Sequence, residues 1–251
     1  MQTYKLLNAV TDVGYHMLGQ GAEVYRVEDS LRRIFAAYGY EAEVYAVPGS
    51  VIVTIQDESG QPLTSTRRLL LQETNLDKID RLNDLSRRIC RDKLEPEQIH
   101  DEVQAILSRR MYPLPVLVVA YIVIGLSFSL FFGGTMREAI AAGIIGGLIK
   151  LVQFLLEKVR ANEFFVTILC SAMTSLFAIL CVQMALAGNI DQIIIGALMT
   201  LVPGITLTNC MRDFIAGDFM TGLSRLTEAL LTATAIAAGV AINMTLLRPY
   251  L

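Results

Sequence analysis

Five long apolar runs fill the second half of the chain, and the segments between them are short and polar. A helix needs about 20 apolar residues to cross the hydrocarbon core of a membrane. Five nearly charge-free runs in series are unusual for the buried helices of a soluble protein. The pattern therefore predicts a transmembrane domain over residues 111–251, with spans at about 114–133, 138–156, 163–188, 191–210 and 226–247.

The first half of the chain mixes two periodicities. Apolar residues recur at helical spacing in four segments, which are 6–17, 22–38, 75–91 and 96–108. Between the second and third segments, β-branched residues alternate with polar ones, and turn residues at 48–50 and 57–62 divide this stretch into three strands. The expected fold class is an α-helical polytopic membrane protein with an N-terminal cytoplasmic α+β domain (residues 1–110) followed by five transmembrane helices.

Charged residues are scarce and unevenly placed. They make up 18% of 251 residues, against about 25% in soluble domains, and most precede Pro113. The net charge of −3 gives no basic excess and argues against a nucleic-acid partner. Lys and Arg near the span ends fall mainly on the side of the first half, which marks the cytoplasmic side. We expect the cell inner membrane, with the N-terminus cytoplasmic, the C-terminus outside and residues 248–250 as an interfacial anchor.

Metal and cofactor chemistry has little support in the sequence. The four Cys residues show no CxxC spacing, and the two His residues form no HExxH motif. Small packing residues explain such cysteines. We therefore expect no metal site and no cofactor. The first 20 residues lack the basic region and apolar core of a signal peptide, so we expect the first half to stay in the cytoplasm.

Pro203 and Gly204 interrupt the fourth apolar run, and polar residues follow them. Proline removes a backbone donor, and in lipid the carbonyl left over must find protein, water or a ligand. Transporters place such discontinuous helices at substrate sites. A plain kink followed by surface charges is the alternative. The residues expected to bind substrate are Pro203, Gly204, Thr206, Thr208, Asn209 and Arg212.

Four further charged residues border or interrupt the apolar runs, and we assign them to ion coupling or gating: Asp213, Arg225, Glu228 and Lys150. Ionisable groups near a membrane interior are candidates for function. Glu228 is expected to pair with Arg212 across two helices. Lys150 has an alternative explanation, because a long side chain can extend its charge towards the cytoplasm.

The first half offers weak evidence for catalysis. Ser50 lies between two predicted strands, but no GxSxG motif surrounds it. Glu23, Arg26 and Glu28 form a charged group that fits a solvated helix face. We assign no catalytic residue and expect the protein not to be an enzyme.

Four long segments of the chain carry a specific pattern: "GQGAEVYRVEDSLRRI", "VYAVPGSVIVTI", "NLDKIDRLNDLSRRI" and "LVPGITLTNCMRDFIAGDFMTGLSRLTEALLTA". These segments resemble the threonine/serine exporter family. The chain is most similar to the short two-component branch associated with succinate export. The resemblance implies a secondary exporter of small polar metabolites, whose partners are the lipid bilayer and a separate small membrane subunit. It also implies an ion gradient as the driving force. Because five spans are few for a carrier, association with further copies of the chain as a homo-oligomer is the alternative to a separate subunit.

Three functions stay open at this point. The first is an exporter subunit for amino acids of the threonine/serine type or for dicarboxylates such as succinate. Charges of both signs favour a zwitterion, whereas the short branch favours a dicarboxylate. The second is a membrane-anchored enzyme with a hydrolase-like cytoplasmic domain. The third is a channel or a regulatory membrane scaffold.

Overall fold

The computed structural model of the protein describes residues 2–57, 59–69, 74–109 and 112–246, so the anchor expected at 248–250 lies outside them. The described residues are mostly helical and include one three-stranded sheet. The chain forms two compact units. The first comprises Met1–Arg110 with Thr208–Arg225, and the second comprises Met111–Leu207 with Leu226–Leu251.

The first unit contains four helices and three strands in its leading segment, within the described residues. In chain order these are α1 (Gln2–Gly19), α2 (Val24–Ala37), β1 (Ala42–Val47), β2 (Ser50–Gln56), β3 (Pro62–Arg68), α3 (Leu76–Asp92) and α4 (Pro96–Leu107). The strands form an antiparallel meander in the order β1-β2-β3. Helices and strands thus occur in the segments where the periodicity predicts them.

The core of the first unit lies between the sheet and the helices. Strand β2 alternates buried and half-buried residues, so Val51, Val53 and Ile55 all face inwards. Helix α2 supplies Leu31 and Ile34 to the same cluster. The inward-facing residues of the alternating strand and the apolar face of α2 therefore pack together in one apolar layer.

The second unit is built from long apolar helices. They are α5 (Leu114–Phe131), α6 (Met136–Lys158), α7 (Glu163–Gln183), the short α8 (Ile190–Leu198), and parts of α9 (Gly204–Ile215) and α10 (Phe219–Leu246). Among the described residues, four helices are long and apolar enough to cross a membrane: α5, α6, α7 and α10. They overlap the first, second, third and fifth predicted spans.

The fourth predicted span is divided between α8 and α9, neither of which reaches spanning length alone. The third run also ends earlier than expected, at Gln183 rather than near residue 188. There, Ala185 adopts a left-handed backbone conformation with φ 55°. Asn189 then caps α8 by accepting a hydrogen bond from the Asp191 amide at 3.0 Å. The hydropathy of the sequence does not distinguish these turns from the apolar runs on either side, because the residues that form them are apolar or small.

The charged segment between the last two runs is mostly helical. Helix α9 continues to Ile215, and α10 begins at Phe219, seven residues before the predicted start of the fifth span. Gly217 makes the turn with φ 88°, which favours glycine. Asp218 then accepts a hydrogen bond from the Thr221 amide at 3.1 Å. The last two runs are therefore joined by a tight helical hairpin.

Glycines bring the helices of the second unit into close contact. A Cβ on Gly125 would lie 2.5 Å from the Ala142 oxygen, and one on Gly146 would lie 2.6 Å from the Tyr121 oxygen. Helices α5 and α6 thus pack backbone against backbone, as small residues permit in lipid. Gly143 and Gly147, which have the GxxxG spacing, also lie against α5.

Candidate functional site

A tight turn separates α8 from α9, at the break that Pro203 and Gly204 predict. The amide of Leu201 donates to the Leu198 oxygen at 2.8 Å, and the amide of Gly204 donates to the Val202 oxygen at 2.8 Å. Helix α9 then starts, with the Leu207 amide donating to the Pro203 oxygen at 3.0 Å. The polar residues that follow are therefore presented on a new helix.

Helix α9 has an inward and an outward face. Cys210 and Asp213 are buried, and Asn209 is half-buried like Thr206 one turn earlier. Thr208 lies on the exposed face. Thr206, Asn209 and Asp213, which recur at helical spacing, thus become more buried along the helix, and Asp213 is the most buried of the three.

Asp213 forms a buried ion pair with Arg225 of α10. The Arg225 Nη1 donates to the Asp213 Oδ2 at 3.0 Å, and its Nη2 donates to the Ala22 backbone oxygen at 3.1 Å. Asp213 is 1% exposed and Arg225 is 5% exposed. Because an isolated buried charge is very costly, each of these residues depends on the other.

The electrostatics of Asp213 reflect two opposing effects. Removal from water raises the pKa of its carboxyl group, and the Arg225 guanidinium opposes this rise. The neighbouring carboxylates of Asp218 and Glu23 raise the pKa further. Asp213 lies beyond the predicted span 191–210, in the part of α9 that belongs to the first unit.

Glu23 is a member of this charge cluster that we did not expect. We placed it on a solvated helix face, which was wrong, because the residue is only 6% exposed. Its Oε1 accepts from the Arg212 Nη1, and its Oε2 accepts from the Arg26 Nη1 at 3.1 Å. Arg212 therefore forms an ion pair with a residue 189 positions away in sequence, and its expected pairing with Glu228 stays a prediction.

One local feature explains why Glu23 is available to Arg212. Glu23 immediately precedes α2, yet its side chain makes no capping hydrogen bond to that helix. A carboxylate at a helix start usually bonds the free amides there. From sequence, an acidic residue at a predicted helix start is expected to cap that helix. The different partner of Glu23 becomes visible only in the tertiary structure.

Apolar and sulfur contacts hold the α9–α10 hairpin that carries these charges. The Cys210 thiol donates to the Gly222 oxygen at 3.2 Å. A Cβ on Gly222 would lie 2.6 Å from a carbon of the Phe214 ring, so the ring fits against the glycine. Phe214 also contacts Phe219, with ring centroids 6.2 Å apart. These contacts fix Asp213 opposite Arg225.

The other predicted site residues belong to the second unit, namely Pro203, Gly204, Thr206, Glu228 and Lys150. The Lys150 Nζ lies 3.4 Å from the Glu157 Oε1 and 5.6 Å from the centre of the Tyr121 ring. Glu228 is exposed on α10. The structure thus brings Arg212, Asp213 and Arg225 together within the first unit, and it places Lys150 beside a carboxylate of its own helix.

No group of three or more metal-ligating side chains occurs among the residues that the structure describes. The chemistry of the cluster is that of guanidinium and carboxylate groups. Guanidinium groups bind carboxylates through charge-assisted hydrogen bonds. Such a cluster can hold, exchange or release a small molecule that carries a carboxylate.

Comparison with known proteins identifies the family of the chain. The model of the threonine/serine exporter family, ThrE, matches residues 8–247. The chain belongs to the threonine/serine exporter family. This is a family of transporters, and with its apolar helices the chain is a multi-pass membrane protein.

Individual relatives fall into two length classes. The chain is 25% identical to the "Threonine/serine exporter" of Corynebacterium glutamicum, over 98% of this chain and 52% of that protein. It is 22% identical to the "Probable threonine/serine exporter" of Mycobacterium tuberculosis, over 97% of this chain and 46% of that protein. The chain thus spans about half the length of these relatives.

A shorter relative matches along nearly its full length. The chain is 25% identical to the "Probable succinate transporter subunit YjjP" of Escherichia coli K12, over 93% of this chain and 91% of that protein. No solved structure matches the chain.

Proposed function

We propose that the chain is a subunit of a secondary transporter that exports small polar metabolites carrying a carboxylate. The candidate substrates are threonine, serine or related amino acids, and dicarboxylates such as succinate. The observation that carries the proposal is the broken helix α8–α9, whose second part bears polar residues and a buried ion pair. Membership of an exporter family supports the same assignment.

The break supplies backbone groups that a continuous helix would use internally. Residues 199–203 separate α8 from α9, and Pro203 contributes no amide hydrogen. Discontinuous helices in transporters present such groups to substrate near the membrane midplane. We assign substrate contacts to Pro203, Gly204, Thr206, Thr208, Asn209 and Arg212, all in or directly before α9.

Charged residues are assigned to coupling and gating. Asp213 and Arg225 are a buried pair whose separation would cost free energy, as expected of a gate that opens only during the transport cycle. Glu228 and Lys150 are assigned similar roles in the second unit. An ion gradient is the proposed source of energy, because secondary transporters couple solute movement to such gradients.

The membrane arrangement is part of the proposal. Helices α5, α6, α7 and α10 each form one span, and α8 with the start of α9 forms a fifth, broken span. We place the first half in the cytoplasm as an α+β domain, the chain in the inner membrane and the C-terminus outside. The excess of Lys and Arg on one side of the spans supports this orientation.

A second membrane subunit completes the transporter in this proposal. One relative's name describes it as a transporter subunit. Carriers that alternate access are usually built from paired repeats, so a second membrane unit would supply the counterpart of this one. A homo-oligomer of this chain is the second arrangement that would complete the substrate pathway.

Uptake into proteoliposomes under an imposed ion gradient tests this function. The chain is reconstituted alone and with the membrane protein that co-purifies with it, and uptake of labelled serine, threonine and succinate is measured. We expect saturable uptake of at least one substrate, which stops when an ionophore collapses the ion gradient. Linear, non-saturable uptake would indicate a channel, and no uptake in either preparation would contradict the proposal.

A further inference from the structure

Glu23 is held between two guanidinium groups, one on each carboxylate oxygen. Arg212 binds Oε1 and Arg26 binds Oε2. Each oxygen of the carboxylate therefore has its own cationic donor. This is the arrangement in which a free carboxylate bridging two arginines would be bound.

The two arginines are accessible although the carboxylate between them is not. The side chains of Arg26 and Arg212 are 47% and 50% exposed, whereas the Glu23 side chain is 8% exposed. A solute can therefore reach both guanidinium groups from solvent. The buried Asp213–Arg225 pair differs, since both of its side chains are closed to solvent.

The start of α2 could stabilise the Glu23 carboxylate if it moved away from the two arginines. Glu23 directly precedes α2, and no side-chain capping bond is formed there in this structure. The first amides of a helix attract negative charge, and a carboxylate at the cap position satisfies one of them. If the Glu23 side chain rotated, its carboxylate would leave the two guanidinium groups and accept hydrogen bonds from the first amides of α2.

We infer that Arg26 and Arg212 form a carboxylate-binding pair that Glu23 occupies in this structure, and that a substrate carboxylate displaces Glu23 from it. The inference rests on the proposed function and deepens it, because it adds Arg26 to the site and makes Glu23 a competitor of the substrate. Glu23 thereby sets the affinity for carboxylates and allows release once the substrate has been delivered.

A simpler role for Glu23 makes a different prediction. If the ion pair only anchors residues 208–225 to the rest of the first unit, its loss lowers the melting temperature and weakens any binding at Arg212. If Glu23 competes with substrate, its neutralisation strengthens binding. The sign of the change in affinity therefore separates the two roles.

The experiment measures binding of serine, threonine and succinate by calorimetry to the purified full chain in detergent. Glu23→Gln keeps the shape of the side chain and removes the charge. Asp29→Asn is the matched control, because Asp29 lies six positions further along, on α2, in an exposed pair with Arg33. The double variant Glu23→Gln/Arg212→Gln removes the proposed donor, and melting temperatures without ligand report any structural loss.

We expect Glu23→Gln to bind at least one of the three ligands about fivefold more tightly than the wild type, the size of a partly exposed ion pair. Asp29→Asn should match the wild type, and the double variant should lose the gain. Unchanged or weaker binding by Glu23→Gln would overturn the inference, as would absence of binding in every variant. Ion-driven uptake by the wild type tests the proposed function separately. Measurable uptake together with an unchanged affinity of Glu23→Gln would overturn the inference alone.

Discussion

Arginine contacts connect residues 208–225 to the residues just before α2 in the first unit, whereas glycines bring α5 and α6 of the second unit together. Asp213 and Arg225 meet at 3.0 Å, away from solvent, in the first unit. In the second unit, Gly125 and Gly146 let the backbones of α5 and α6 touch. An ion pair can change partners, but a backbone contact through glycine cannot adapt to a larger or moved neighbour. The comparison suggests that movement is concentrated around the charged hairpin.

The largest effect is expected from breaking the buried ion pair. Arg225→Leu leaves the Asp213 carboxylate without its partner and should reduce the free energy of unfolding by about 3–5 kcal/mol. Thermal unfolding of the purified protein measures this loss. Arg212→Leu, in a pair that is half-exposed, serves as the comparison and should cost much less. Equal losses in the two variants would contradict the distinction between the pairs.

A smaller loss is expected from crowding the helix contact of the second unit. In Gly146→Ala, the new methyl group would lie 2.6 Å from the Tyr121 oxygen, so α5 and α6 must separate. Overpacking of this kind costs about 1–3 kcal/mol. Gly204→Ala is the matched control, because its methyl group would meet no atom within 4 Å. The melting temperature should fall only in the first variant.

Much of the fold followed from periodicity in the sequence. Long apolar runs locate α5, α6, α7 and α10, since hydropathy over 18 or more residues is a strong pattern. Alternation and turn residues locate the three strands, and Pro203 with Gly204 locates the start of α9. These features are local, and so they can be read from neighbouring residues.

The membership of the charge cluster could not be read in the same way. Glu23 and Arg212 lie 189 positions apart, and no local pattern links them. Arg225 donates to the backbone oxygen of Ala22, and because every residue has such an oxygen, the sequence does not indicate which one is the partner. Charge placement indicated that Arg212, Asp213 and Arg225 matter, but their partners depend on how distant helices pack.

Hydrogen bonding between α7 and α10 should contribute less than the glycine contacts. The Asn243 amide nitrogen donates to the Ala172 oxygen at 2.6 Å and to the Ser175 hydroxyl at 2.9 Å. Side-chain hydrogen bonds between membrane helices contribute about 0.6 kcal/mol on average. Asn243→Ala should lower the melting temperature slightly. Thr245→Ala removes a hydroxyl that donates to the Ala241 and Ile242 oxygens of its own helix, and it should leave the melting temperature unchanged.

The smallest effect is expected at a surface ion pair of the first unit. Lys5 lies 2.7 Å from Glu97, and this contact lowers the pKa of the Glu97 carboxyl below its usual 4.5. The contribution to stability is therefore complete above that value and is lost as the pH falls through the lowered pKa. Glu97→Gln should flatten the acid side of the stability profile slightly. The difference from the wild type should be present near neutral pH and vanish in acid, so a difference that persists unchanged in acid would contradict this assignment.

The central claim is that the polar face and the charges of α9 handle the substrate. Flux through proteoliposomes that contain wild type, Asn209→Ala, Arg212→Ala or the surface control Arg33→Ala tests it most directly, with assembly checked by gel filtration. We expect Asn209→Ala and Arg212→Ala to assemble normally and to lose flux, and Arg33→Ala to retain it. Normal flux by both α9 variants would contradict the account.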